Sequence, residues 1–443
     1  MLVGGAFTAY NGNNAAPNFV LRVNANGTLN DGTLAGLAYT WNNGATGPSI
    51  TVSQPGDYQA TATTTGNGPS LSRVARVSAP PAVAVQITTP SPLTLLNGAS
   101  ATPAATATVA GFNVAGSGFN GFVYALAVQP DGKVLVGGNF TAYNGNTAAP
   151  DHVLRLNPDG SLDLTFNYTA GSTSTGADGV VRALALQSDG KVLVGGDFTA
   201  YNGGTAPARL LRLTANGSLD ASFNPGGAGA GGSVRALALQ PDGRVLVGGI
   251  FAVYNGDAAA PNYVLRLTAT GLLDTSFNPG GAGTSGGAGG LVFALAVQPN
   301  GRVLVGGDFT AYNGDAAAPD NVLRLTADGV LDNSFNPGGA GAGNNVSALA
   351  VQADGRVLVG GNFNTYNGAA APACLLRLTA DGLLDTGFNP GGTGPGNSVR
   401  ALLVQANGRV LVGGSFMGYN NISAPFRVLP SPTARSTRAS TRP

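Results

Sequence analysis

A chain of 443 residues carries one histidine, His152, and one cysteine, Cys374. A Cys–His nucleophile pair would need these two to meet from distant parts of the chain, and a zinc site of Cys/His type lacks ligands. All 21 acidic residues are Asp, and Glu is absent. Two carboxylates about 5–10 Å apart could hydrolyse a glycoside, but these Asp recur in turns, copy after copy. Asp197 and Asp308 follow a Gly-Gly pair at a position held elsewhere by Ala6, Asn139, Ile250, Asn362 and Ser415. With loop carbonyls they would offer oxygen ligands to Ca²⁺, yet only two of the seven are acidic. The Gly-rich run Asn224–Gly232 lacks the Gly-Lys-Ser/Thr of a phosphate loop and precedes a strand pattern. No catalytic residue, metal or cofactor is expected from these patterns. An enzyme is not expected, a hydrolase being the remaining alternative.

Other side chains with chemical potential recur in columns. Tyr10, Tyr143, Tyr201, Tyr254, Tyr312 and Tyr366 each head a Tyr-Asn-Gly, and Tyr419 heads the equivalent Tyr-Asn-Asn. Tyr143 to Tyr419 could form an aromatic rim that stacks a sugar or a peptide. The competing reading packs each ring under its own loop, with Asn-Gly making the turn. Arg155, Arg212, Arg266, Arg324 and Arg377 recur in Leu-Arg-Leu, and Asp163, Asp220, Asp274, Asp332 and Asp385 in Leu-Asp. A pair present in every copy is expected to stitch the scaffold. His152 and Cys374 share a column with Phe19, Arg209, Tyr263, Asn321 and Arg427. A position tolerating all these types reads as solvent-facing.

The columns exist because one unit repeats. Leu-Val-Gly-Gly begins at residues 2, 135, 193, 246, 304, 358 and 411, the last six spaced 53–58 residues apart. That period exceeds short-coil solenoids, and no segment shows apolar residues at i, i+3, i+4 over three turns. Residues 232–280 parse into four strands: Ser-Val-Arg-Ala-Leu-Ala-Leu-Gln, Arg-Val-Leu-Val-Gly-Gly, Asn-Tyr-Val-Leu-Arg-Leu-Thr and Leu-Leu-Asp-Thr-Ser-Phe-Asn-Pro. Pro-Asp-Gly between the first two is a hairpin signal. The first two strands are apolar at successive positions, so both sheet faces must be covered. Small Ala suits a crowded centre, and Gly-Gly allows a bulge or close backbone approach. The expectation is an all-β protein: a β-propeller of four-stranded antiparallel blades. Seven blades are favoured and six are the alternative, with a ring that could stay open.

The consensus Val-x-Ala-Leu-Ala-(Val/Leu)-Gln-x-Asp-Gly-(Lys/Arg)-Val-Leu-Val-Gly-Gly, followed by Tyr-Asn-Gly, Leu-Arg-Leu and Leu-Asp-x-(Ser/Thr)-Phe-Asn-Pro-Gly, resembles the delta-60 repeat of bacterial secreted and surface proteins. It spans residues 1–31 and 110–429. The double Gly also resembles kelch propellers, whose downstream Trp is missing here. The delta-60 resemblance implies a propeller-like array outside the cytoplasm and no established chemistry.

Residues 32–109 interrupt the period and shift to Thr, Ser, Ala and Pro. They resemble an immunoglobulin-like or PKD-like module, a small β-sandwich with Trp41 as core and Tyr58 as tyrosine corner, followed by a Pro/Ala-rich linker. A splice between two repetitive regions is the alternative. The opening inside a repeat reads as a fragment or misplaced start. Residues 430–443 replace the expected repeat text with Ser, Thr, Pro and Arg, which a one-base frameshift would explain, and read as a disordered tail. A basic nucleic-acid-binding tail carrying Arg435, Arg438 and Arg442 is the bland alternative. Net charge is +1 and only 10% of residues are charged, so no field favours nucleic acid or anionic lipid, and no run of 18 apolar residues spans a membrane. The resulting expectation is a non-catalytic, extracellular or cell-surface scaffold for adhesion or display. A glycan- or peptide-binding propeller is the alternative, with a glycan or a protein at the cell surface as the partner.

Overall fold

The computed structural model describes residues 116–167, 175–287, 289–389, 391–405, 408–416 and 418–420, together with the backbone of short strands elsewhere. No helix occurs among the described residues. Six copies of one unit follow each other. Copy one has strands Phe122–Val128, Val134–Asn139 and Val153–Leu156; copy two, Val181–Leu186, Val192–Gly196 and Leu210–Leu213; copy three, Ser233–Leu239, Val245–Ile250 and Val264–Leu267. Copy four has Leu291–Val297, Val303–Asp308 and Val322–Leu325; copy five, Val346–Val351, Val357–Gly361 and Leu375–Leu378; copy six, Val399–Val404, Val410–Gly414 and Val428–Pro430. In each, the strands lie antiparallel in sequence order, with the second strand central.

The turns follow local chemistry. In copy one, Gly132 takes φ +83° and the Asp131 carboxylate accepts from the Lys133 N–H, closing the first hairpin. The Tyr-Asn-Gly loop turns on two residues of positive φ, Asn202 at +53° and Gly203 at +68° in copy two, as a type I′ turn requires.

The expected fourth strand is not a strand. In each of copies one to five it is reduced to one bridge, Leu156 to Leu162 and its equivalents. The physical reason is the next residue. Asp163 accepts from both the N–H and the hydroxyl of Thr165 through Oδ1, and the Phe166 N–H donates to the Asp163 carbonyl. That local capture curls the chain away from the ladder. The sheets therefore have three strands, not four.

Among the described residues, both faces of the sheets of copies two to five are covered by neighbouring copies. Leu193 and Leu210 of copy two share a core with Val234, Val245 and Val247 of copy three. Leu246 and Val264 of copy three likewise join Val292, Val303 and Val305 of copy four. One face is bulky and the other small, so the copies interlock. A Cβ on Gly195 would lie 2.6 Å from the Val234 methyl of the next copy. Full burial of each Val or Leu contributes about 1.5–3 kcal/mol. Successive copies pack first strand against first strand, where small Ala183, Ala236, Ala294 and Ala348 are buried.

Ahead of copy one, Leu2–Gly4 pairs antiparallel with Val20–Arg22. Within 32–109, Leu37–Trp41, Gly56–Thr64 and Leu71–Val77 form one antiparallel sheet, and Ser49–Val52 pairs with Val83–Gln86. The side chains of Trp41 and Tyr58, the ring's closure and the tail 431–443 lie outside the described residues.

Candidate binding site

The repeated charges are consumed inside the scaffold. Arg155 sends Nε to Asp163 Oδ2 at 2.7 Å, Nη1 to the Ala215 carbonyl of the next copy at 2.7 Å, and stacks 4.8 Å from the Phe166 ring. Arg212, Arg266 and Arg324 repeat the pattern with Asp220, Asp274 and Asp332, and with Ala269, Ala327 and Ala380 of the following copy. Arg377 pairs with Asp385 at 2.9 Å. A second cation reaches each carboxylate, such as Lys133 on Asp163 at 2.9 Å. Burial opposes ionisation of Asp163, Asp220, Asp274 and Asp332, yet their hydroxyl, backbone and cationic donors hold all four below the usual carboxylate range. These pairs join the third strand both to its own copy and to the next.

The tyrosines are enclosed. Tyr143, Tyr201, Tyr254, Tyr312 and Tyr366 are 1–3% exposed. Each hydroxyl donates to a Gly carbonyl in the turn after its own third strand, at 2.5–2.6 Å. Burial pushes these phenols well above their ordinary range. Tyr419 is half-buried. As placed, the column presents its Asn-Gly backbone at the loop tip, not an aromatic ring. The following Asn does something the sequence reading did not anticipate. Asn202, Asn255, Asn313, Asn367 and Asn420 exchange reciprocal amide hydrogen bonds with Asn167, Asn224, Asn278, Asn336 and Asn389 of the preceding copy.

The column of His152 and Cys374 corrects the expectation of a solvent-facing position. His152, Arg209, Tyr263, Asn321 and Cys374 sit at φ +61° to +64°. Asn321 and Cys374 are buried, and the other three are half-buried. Variation here reflects a tight backbone bend into the third strand, whose side chain lies over the next copy: Asn321 Nδ2 donates to the Ala342 carbonyl at 2.7 Å. His152 and Cys374 belong to copies one and five and do not meet. Burial lowers the imidazole and raises the thiol.

A different column breaks the repetition. In all six copies a β-bulge sits in the first strand opposite the Gly-Gly pair; Val181 faces Gly196 and Ala183 faces Gly195, with Arg182 extra. The bulged residues are Tyr124, Arg182, Arg235, Phe293, Ser347 and Arg400. Because first strands pack side by side, these unlike side chains form a ladder. The Arg182 guanidinium lies 5.4 Å from the Tyr124 ring and holds Asp197 Oδ2 through Nε at 2.9 Å and Nη2 at 2.6 Å. Asp197 Oδ1 accepts from Ser233 of the next copy at 2.5 Å. Arg235 lies 5.3 Å from the Phe293 ring. Its Nε is buried without a hydrogen-bond partner among the described residues, an omission that typically costs about 1–3 kcal/mol.

The electrostatics are uneven. Against its burial, Asp197 is held low by Arg182 and Ser233, and Arg182 is raised by Asp197. Arg235 is lowered by burial and by the Arg182 charge, with Asp197 only partly offsetting them. One carboxylate thus faces two guanidinium groups. Tyr124, beside Arg182, and Phe122, its ring centroid 6.3 Å from that of Tyr124, are 47% and 44% exposed. The signal was the single variable x in the constant Val-x-Ala-Leu-Ala; only the bulge shows that these positions converge. Asp197 is thereby engaged with arginine and serine, while Asp308 lies two copies away.

A cleft of about 150 Å³ in copy four lies between Pro319 and Pro337, and its counterpart in copy five reaches about 350 Å³. Arg324 and Asp332, which line the first, are already paired.

The model of a family described as a domain of unknown function (DUF5122) beta-propeller matches residues 1–32, 129–166, 187–223, 240–277, 298–335, 352–388 and 405–426. No curated protein matches. Among solved structures, the extracellular domain of BT4673 from B. thetaiotaomicron is 14% identical, with a TM-score of 0.40 over 72% of this chain and 34% of that one. The calcium-binding protein regucalcin from Agrobacterium tumefaciens is 13% identical, with a TM-score of 0.34 over 67% of this chain and 86% of that one. PorZ, a bacterial surface component of the type-IX secretion system of Porphyromonas gingivalis, is 13% identical, with a TM-score of 0.28 over 86% of this chain and 46% of that one. The chain thus spans about a third of the length of the first of these structures.

Proposed function

This chain belongs to the DUF5122 beta-propeller family, and from that premise we propose that it is a non-catalytic scaffold outside the cytoplasm that displays a recognition surface on its bulge ladder. The extracytoplasmic setting follows the resemblance of its repeat to delta-60 repeats of secreted and surface proteins. One observation carries the reading. The charges repeated in every copy are turned inward on Arg–Asp pairs and turn carbonyls, whereas the bulge column changes chemistry from copy to copy while its backbone stays constant. Constant backbone with varied side chains is how a rigid frame carries specificity. Catalysis would need an activated nucleophile or a poised acid and base in one cluster. In the ladder, the carboxylate of Asp197 is held ionised by Arg182.

The test is a glycan and peptide array probed with the whole chain, alongside a panel of chromogenic hydrolase substrates. The reading expects binding hits that disappear in Tyr124→Ala and Arg182→Gln but survive in Tyr254→Phe. Turnover of any substrate that Asp197→Asn abolishes would overturn it.

A further inference from the structure

The uneven charge of the ladder specifies a ligand class, and this step rests on the reading of the ladder as a recognition surface. Three facts converge between copies one and four. Arg182 and Arg235 share one counter-ion, Asp197, whose two oxygens are occupied by Arg182 and Ser233. The Arg235 Nε is buried with no acceptor among the described residues. Next to Arg182, the ring of Tyr124 and the neighbouring ring of Phe122 are about half exposed.

A half-buried guanidinium that shares its one counter-ion with a second is completed by a planar anion, because the N–H fork matches a carboxylate in spacing and in plane. The excess is a single positive charge, which suits a carboxylate more closely than a phosphate monoester carrying −1.5 to −2 at neutral pH. The exposed rings offer an apolar, slightly electronegative face, which receives the C–H face of a pyranose. We infer that the Arg182–Arg235 step of the bulge ladder binds a carboxylate borne on a sugar ring, as in a polyuronate chain, with Arg235 taking the carboxylate of one unit and Tyr124 and Phe122 stacking the ring of another unit of the same chain.

The repetition sets the direction of such a chain. Bulge residues of adjacent copies lie side by side, so an extended oligosaccharide runs across the copies, along the row of first strands. Ser347 and Arg400, farther along the row, stand outside the charged step; Arg400 Nε donates to Ser415 within its own copy.

The experiment is calorimetric titration of the whole chain with three probes: oligogalacturonate, its methyl ester and poly-glutamate of similar length. The expected result is that oligogalacturonate binds, while the ester and the peptide each bind at least tenfold more weakly. Arg235→Gln should weaken oligogalacturonate binding at least tenfold, and Arg356→Gln, on an exposed hairpin turn of copy five outside the ladder, should leave it unchanged. Arg235→Lys keeps the charge and the stem against Phe293 but loses the fork, and should bind several-fold more weakly. Should Arg235→Gln fail to give the native circular dichroism spectrum, the Lys variant and the ester carry the test. No binding of oligogalacturonate at millimolar concentration would overturn the inference. So would equal binding of the ester, tighter binding of poly-glutamate, or wild-type affinity in both Arg235 variants. Recovered ligand is sized by chromatography. Shortened oligomers would overturn the non-catalytic reading while leaving carboxylate recognition standing, whereas hits confined to neutral glycans would do the reverse.

Discussion

At the scale of single residues, the strained column at the entrance to the third strand makes a direct prediction. His152 is held at φ +62°, a conformation costing ordinary residues about 1–2 kcal/mol and tolerated by Asn. Its Nδ1 is also buried without a hydrogen-bond partner among the described residues. At the equivalent position Asn321 donates to the next copy and accepts from the Phe309 N–H. His152→Asn should therefore stabilise the protein by about 1 kcal/mol, read as a higher urea midpoint; a lower midpoint would show that the imidazole packs better than its backbone suggests. The buried ion pairs predict the opposite. Arg324 is 2% exposed, and removing Asp332 leaves its charge uncompensated, at a cost of about 3 kcal/mol or more. Asp332→Ala should lower the urea midpoint strongly. The double change Arg324→Met with Asp332→Leu should recover most of that loss, because no charge then remains to desolvate. Equal losses in single and double variants would mean that shape, not charge, governs the site.

At the scale of the elements, the Gly-Gly pair is where the second strand meets both its own bulge and the next copy. A Cβ on Gly248 would lie 2.6 Å from the Val292 methyl of copy four, whereas at Gly204 the nearest heavy atom would be 3.6 Å away. Overpacking of this kind costs about 1–3 kcal/mol, while a fitting Gly→Ala gains a few tenths by restricting the unfolded chain. Gly248→Ala should thus destabilise and Gly204→Ala should not; thermal melts of the two, side by side, check this. Much of the element pattern was legible in the sequence. The successive apolar positions of the first two strands mark sheets covered on both sides, and Asp-Gly and Asn-Gly mark the turns. The fourth strand was not legible as a turn. Leu-Asp-x-(Ser/Thr) carries strand-like neighbours, and only the Asp side chain's capture of its own backbone decides against the ladder.

At the scale of the whole molecule, each copy touches the next through one repeated interface, so stability is close to a sum of nearest-neighbour terms. Acid should act on all of them together. Asp163, Asp220, Asp274 and Asp332 are depressed in the folded protein, against an unfolded value of about 3.9. Their contribution is present above that value and is lost as pH falls toward the folded values. The urea midpoint should therefore hold at neutral pH and drop progressively once pH falls below about 5. A midpoint unchanged down to pH 2 would mean the Arg–Asp columns contribute nothing. The sequence by itself determined the repeat, its all-β antiparallel character and the sheets covered on both sides, because each follows from local period and from residue types recurring in step. It could not show where Tyr254 or Arg235 ends up. A tyrosine in a loop is equally at home outside or inside, and a variable position in a strand is equally at home in solvent or in a site. Packing decided both: the turn carbonyl of Gly271 draws the Tyr254 hydroxyl inward, and a bulge repeated in neighbouring copies brings Tyr124, Arg182, Arg235 and Phe293 together from four separate sheets.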